Sequence, residues 1–138
     1  MSIATCQRLE MLVLARTALN GSIPKQVFLA SQLKFLLLAN NSLSSSLPNE
    51  FGHLRQFDIM DISGNQQSGN IPAITKRCSI LQRHNIVRSK ITDSIPKSLE
   101  NLTELESLDL FSNNLFGLIP TELENLIALQ MLNFSSIA

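Results

Sequence analysis

Apolar residues return along this chain in steps of 24. Leu33, Leu36 and Leu38 are followed by Phe57, Met60 and Ile62, then Leu81, His84 and Ile86, then Leu105, Leu108 and Leu110. Leu9, Leu12 and Leu14 form an earlier copy, and Leu129, Leu132 and Phe134 begin a sixth. All five prolines keep the same step, at Pro24, Pro48, Pro72, Pro96 and Pro120, each preceded by Ile or Leu. A fixed period of about 20–50 residues marks a solenoid of stacked units.

Inside each unit the fourth and sixth places alternate with exposed ones, the period of a half-buried strand. One unit cannot bury its apolar face alone, so the copies must stack and pair strand to strand, about 4.8 Å apart. The stacked strands are expected to line the inner face of an arc. Asn41, Asn65 and Asn113 follow the strand and are read as a structural ladder. An inward amide donates twice and accepts twice, which satisfies buried loop backbone. The prolines cannot donate to a ladder and suit the turn after each Gly-x-Ile segment. Two more apolar columns follow each proline. One holds Val27, Phe51, Leu99 and Leu123, broken by Thr75, and the other holds Ala30, Leu54, Cys78, Leu102 and Leu126. Ile3 and Cys6 fall in phase upstream.

The resulting pattern, LxxLxLxxNxLxGxIPxxLxxLxx, resembles the plant-type extracellular leucine-rich repeat of receptor-like kinase and receptor-like protein ectodomains. The likeness runs from Ile3 to Phe134, and its most specific part is the GxIP of Gly21-Ser22-Ile23-Pro24 and Gly117-Leu118-Ile119-Pro120. The resemblance implies an α/β repeat solenoid, a right-handed superhelical arc of about 5.5 repeats. A parallel β-sheet would form its concave face, with short 3-10, helical or irregular segments on the convex side. Residues 1–138 are expected to form one array that starts and ends mid-repeat without terminal caps. The function implied is a protein- or peptide-binding module, a fragment or truncated relative of a receptor-kinase ectodomain that recognises ligands in signalling or defence. Its partners would be a peptide or protein ligand and a co-receptor. Two alternatives stand beside it: an inhibitor of a secreted hydrolase, as polygalacturonase inhibitors of this repeat type are, and a nonfunctional receptor-gene remnant. Self-association through uncapped ends is a further expectation.

Composition narrows this further. The chain is 44% hydrophobic, enough for a continuous core, and its formal net charge is zero, which argues against nucleic acid or an anionic membrane as partner. Charge is nevertheless segregated. Lys76, Arg77, Arg83, Arg88, Lys90 and Lys97 stand against Asp93 alone, whereas residues 98–138 hold Glu100, Glu104, Glu106, Asp109, Glu122 and Glu124 and no base. Cys6 and Cys78 share a column three periods apart, about 14 Å at one strand spacing per repeat, too far to bridge. They read as small apolar core residues, and their spacing gives no metal site. No signal peptide, membrane-length apolar run or kinase signature is present. The family is extracellular or at the plasma membrane, and the location of this chain stays open.

Catalytic chemistry finds no footing. His53 falls in an exposed convex segment, and His84 replaces Leu at an inward position with no nucleophile or carboxylate column beside it. No catalytic residue and no cofactor is expected. Gln67, Thr75, Ser89 and Asp93 depart from the pattern, so residues 65–93 read as the weak part of the array. Four sequons begin at Asn20, Asn40, Asn101 and Asn133. In a secreted parent, Asn101 and Asn20 are the glycosylation candidates, because Asn40 and Asn133 lie on the expected concave face.

Binding therefore rests on the outward columns of the strands. Met11, Val13, Phe35, Leu37 and Ile59 make an apolar patch on the first three, with Asp61 at its rim. Contiguous exposed apolar surface marks interaction sites. Arg83, Asn85, Arg88, Asp109 and Phe111 complete the candidate face.

Overall fold

The computed structural model describes residues 6–74 and 76–134. Ile3 and Thr75, to which the sequence assigned places, lie outside the described residues, and so does the side chain of His53.

Each 24-residue unit opens with a three-residue strand. β1 (Met11–Val13), β3 (Phe35–Leu37), β5 (Ile59–Asp61), β7 (Arg83–Asn85), β9 (Ser107–Asp109) and β11 (Met131–Asn133) form a six-stranded parallel sheet in that order. Pairing follows the period: Met11 faces Phe35, Phe35 faces Ile59, and Ile59 faces Arg83. The central residue of each strand points inward, and Leu36, Met60, His84 and Leu108 are all fully buried. A one-residue slip would turn this apolar column to solvent, which is why the register is so firmly set.

A second parallel sheet runs alongside, in the order β10-β8-β6-β4-β2. Its strands are β2 (Asn20–Gly21), β4 (Ser42–Ser45), β6 (Gln66–Gly69), β8 (Lys90–Asp93) and β10 (Asn114–Leu115). The sequence reading did not anticipate it. These segments alternate one buried residue (Leu43, Gln67, Ile91, Leu115) with small polar ones, a run too short to stand out as a strand. After the second sheet each unit makes a short 3-10 helix: Lys25–Leu29, Asn49–His53, Lys76–Cys78, Lys97–Asn101 and Thr121–Asn125. Pro24, Pro48, Pro96 and Pro120 are the cap residues of four of them. Their missing N–H is no loss at that place, and their carbonyls accept from the residue three on, at 2.9–3.2 Å.

The column broken at Thr75 is met from one residue upstream. Ile74 is buried in the core, its N–H donates to Ser98 Oγ at 3.0 Å, and the helix there has three residues instead of five.

The turn out of each inner strand needs left-handed backbone at a fixed phase. Arg16, Asn40, Gly64, Arg88 and Ser112, spaced by 24, all have φ between 53° and 63°. A second set, Gly21, Ser45, Gly69, Asp93 and Gly117, has φ between 74° and 86°. The glycine of GxIP is thus a conformational requirement, and Ser45 and Asp93 meet it with strain.

Candidate functional site

Asparagine side chains stitch one repeat to the next beneath the inner sheet. Asn65 Nδ2 donates to the carbonyls of Leu38 at 3.0 Å and Ile62 at 2.8 Å, and its Oδ1 accepts from Leu43 N–H at 3.0 Å. Asn113 does the same with Ile86, Leu110 and Ile91. Asn41 donates to Leu14 and Leu38 and accepts from the N–H groups of Thr17 and Leu19. The fourth member of the column is Ser89, whose hydroxyl is buried without a partner. Its shorter side chain reaches none of the three groups that an asparagine would join.

His84 sits in the same weak stretch. Its ring is 1% exposed, neither nitrogen has a hydrogen-bond partner, and it packs at 5.3 Å on Phe51. Burial pushes its pKa down from 6.5 to about 4, so it is neutral and apolar in role. Gln67 is likewise buried with both amide atoms unpartnered. Cys78 and Cys6 are free thiols, and burial pushes Cys78 up to about 12, leaving it protonated and unreactive. Among the described residues no group of three His, Cys, Asp or Glu side chains is placed to hold a metal ion.

Straight rows of side chains cross the outer side of the inner sheet. Met11, Phe35, Ile59 and Arg83 make one row, and Val13, Leu37, Asp61, Asn85 and Asp109 make the next. Met11 and Val13 are about half exposed, and Phe35, Leu37, Ile59 and Asp61 are half-buried. The five apolar side chains are therefore contiguous across three strands. Beside them lies a hollow of about 240 Å³, lined by Leu37, Ile59, Asp61, Arg83, Asn85 and Asp109 among others. Arg88 and Phe111 do not lie on strands; both belong to turns that follow, and both are exposed.

Three polar residues of the second row have a local role that the sequence reading missed. Asp61 Oδ1 accepts from Ser63 N–H at 3.0 Å, Asn85 Oδ1 from Val87 N–H at 3.2 Å, and Asp109 Oδ1 from Phe111 N–H at 3.1 Å. Each side chain closes the turn after its own strand. The recurrence of Asx at the end of the strand was visible as Asp61, Asn85 and Asp109 at one phase.

The segregated charge is partly paired within the protein. Lys97 meets Glu122 of the next repeat at 2.7 Å, and the hydrogen bond and charge raise the lysine's pKa and lower the carboxylate's. Lys34 pairs with Glu10 at 2.9 Å. The two glycosylation candidates differ. Asn20 is exposed on β2, whereas Asn101 is half-buried and donates to the Ile74 carbonyl at 2.9 Å. No helix of the described residues is long and apolar enough to cross a membrane.

The profile described as Leucine Rich Repeat matches residues 32–54 and 104–126. No curated protein matches the chain significantly. Among solved structures, a TDR receptor is 35% identical over 98% of this chain and 23% of its own, with a TM-score of 0.94. The Arabidopsis receptor kinase HAESA, solved with the peptide hormone IDA and the co-receptor SERK1, is 32% identical over 96% of this chain and 22% of its own, with a TM-score of 0.86. The BIR3–SERK2 complex from Arabidopsis thaliana contains a chain 32% identical over 91% of this one and 69% of its own, with a TM-score of 0.77. This chain thus spans less than a quarter of the first two.

Proposed function

The chain belongs to the leucine-rich-repeat family of plant receptor ectodomains, and from that premise we propose that it is a binding module for a peptide or protein ligand, engaged on the outer face of its inner sheet. The observation that carries this reading is the contiguous apolar patch of Met11, Val13, Phe35, Leu37 and Ile59, partly open to solvent on a sheet whose inward residues Leu36, Met60, His84 and Leu108 are fully buried. A packed scaffold that presents apolar side chains in rows favours an extended ligand laid across the strands. Relatives solved with peptide hormones, such as HAESA with IDA and the receptor RGFR1 with RGF2, support a peptide as the ligand class. HAESA's co-receptor SERK1 supports a second protein as a further partner. The module binds and does not catalyse, and its setting is extracellular, as an ectodomain's is.

The test is selection from a displayed random-peptide library on the purified chain, followed by affinity measurement on the Phe35→Ser, Leu37→Ser double variant. The reading expects selected peptides to lose at least tenfold in affinity on that variant. Peptides that bind both proteins equally would remove the patch from the site.

A further inference from the structure

Resting on the peptide-binding reading, we infer that the ligand is an extended peptide that lays an apolar side chain over Phe35, Leu37 and Ile59 and seats a basic side chain between Asp61 and Asp109. The outer face of the inner sheet is divided along its length. Its first three strands present apolar side chains, and its second row then changes to Asp61, Asn85 and Asp109. The hollow of about 240 Å³ spans that change, from Leu37 and Ile59 to Asp109. An occupant of this hollow meets Leu37 and Ile59 at one end and then two carboxylates, Asp61 and Asp109, against the single guanidinium of Arg83.

The negative charges are not demanded by the fold. Asn85 closes the same turn with a neutral amide. Val13 and Leu37 occupy the same row with no polar side chain at all. Nor are the charges neutralised internally. Arg83 stands in the neighbouring row, yet the ion pairs among the described residues are Lys34–Glu10 and Lys97–Glu122. Asp61 and Asp109 each use Oδ1 for the turn, and no described residue donates to either Oδ2. Two carboxylates two strands apart, about 9.6 Å, flank a position that suits a guanidinium or ammonium group.

The geometry sets a spacing. Leu37 and Asn85 are also two strands apart, and an extended peptide advances about 3.3 Å per residue. Only alternate side chains of an extended peptide face the same way, so the apolar and basic side chains of the ligand should be two or four residues apart.

Two fluorescein-labelled synthetic peptides serve as probes, identical except for arginine or glutamate placed two residues from one leucine and, in the same direction, four from another. Fluorescence anisotropy at low salt should give at least tenfold tighter binding of the arginine peptide, with the preference shrinking as salt is raised. The Asp61→Asn, Asp109→Asn double variant keeps the turn acceptors, so it should stay folded by circular dichroism and bring the two peptides within about threefold. Equal or tighter binding of the glutamate peptide overturns the inference, as does an unchanged preference in the double variant. If neither probe binds, the charge assignment is overturned; the peptide-binding reading falls with it only if the library selection also fails.

Discussion

His84 offers the sharpest test of how this array is held together. Its counterparts in the column are Leu12, Leu36, Met60, Leu108 and Leu132, so leucine has a place ready for it. The histidine ring is fully buried with both nitrogens unpartnered. Leaving such groups unsatisfied costs about 1–3 kcal/mol, and His84→Leu should recover that much at neutral pH. Acid adds a second component. The folded-state pKa is about 4 against 6.5 for a free histidine. The unfolded chain therefore takes up a proton as pH falls below about 6.5, and the folded chain does not until about 4. Stability from the neutral ring is complete above 6.5 and is lost progressively down to 4. A gap of about 2.5 pH units corresponds to about 3 kcal/mol. For a chain of this length 1 kcal/mol moves Tm by about 3–5 °C. Thermal melts followed by circular dichroism at pH 7.5, 6.5, 5.5 and 4.5 should show His84→Leu more stable throughout. The gap to wild type should widen by about 8 °C or more toward pH 4.5. Other carboxylates titrate equally in both proteins, so the difference isolates His84. A gap that stays constant or narrows in acid would refute the reasoning, and so would a lower Tm for the variant at pH 7.5.

Four further outcomes follow from the repeat geometry. Ser89→Asn should raise stability by about 1–2 kcal/mol, by supplying an acceptor to Gln67 N–H and donors to the Ile62 and Ile86 carbonyls; chemical denaturation with no change in midpoint would count against it. Asn113→Ala removes three such bonds and should cost about 2–4 kcal/mol in the same assay, whereas a loss below about 0.5 kcal/mol would deny the ladder its structural weight. Ser45→Gly relieves left-handed backbone at φ 74° and should gain about 0.5–1 kcal/mol. Gly64→Ala should lose about 1–2 kcal/mol, because φ is 63° and a Cβ there would stand 2.6 Å from Asn40 Oδ1; the reverse order of these two effects would contradict the turn assignment.

Much of this was legible because a fixed period converts every residue into a position. The inner strands, the inward place of His84 and the separation of Cys6 from Cys78 all came from phase alone. What the sequence hid was the part with weak hydrophobic contrast. The second sheet is built from segments such as Ser42–Ser45 and Gln66–Gly69, whose single buried residue gives no periodicity to detect. Ile74 was hidden for another reason: it is buried one place before the apolar column, and a strict column skips over it. The candidate face was readable as rows of residue types. That Asp61, Asn85 and Asp109 each spend one oxygen on a turn, while Asp61 and Asp109 stay unpaired with Arg83, depends on side-chain directions that a one-dimensional pattern does not contain.

Hydrogen–deuterium exchange with and without a library-selected peptide tests the binding face most directly. A ligand on the outer face of the inner sheet should slow exchange in the peptides covering 35–37, 59–61 and 83–85 and leave the 3-10 helices Lys25–Leu29 and Lys97–Asn101 unchanged. Protection confined to those helices, or to the second sheet, would place the ligand elsewhere and contradict the account.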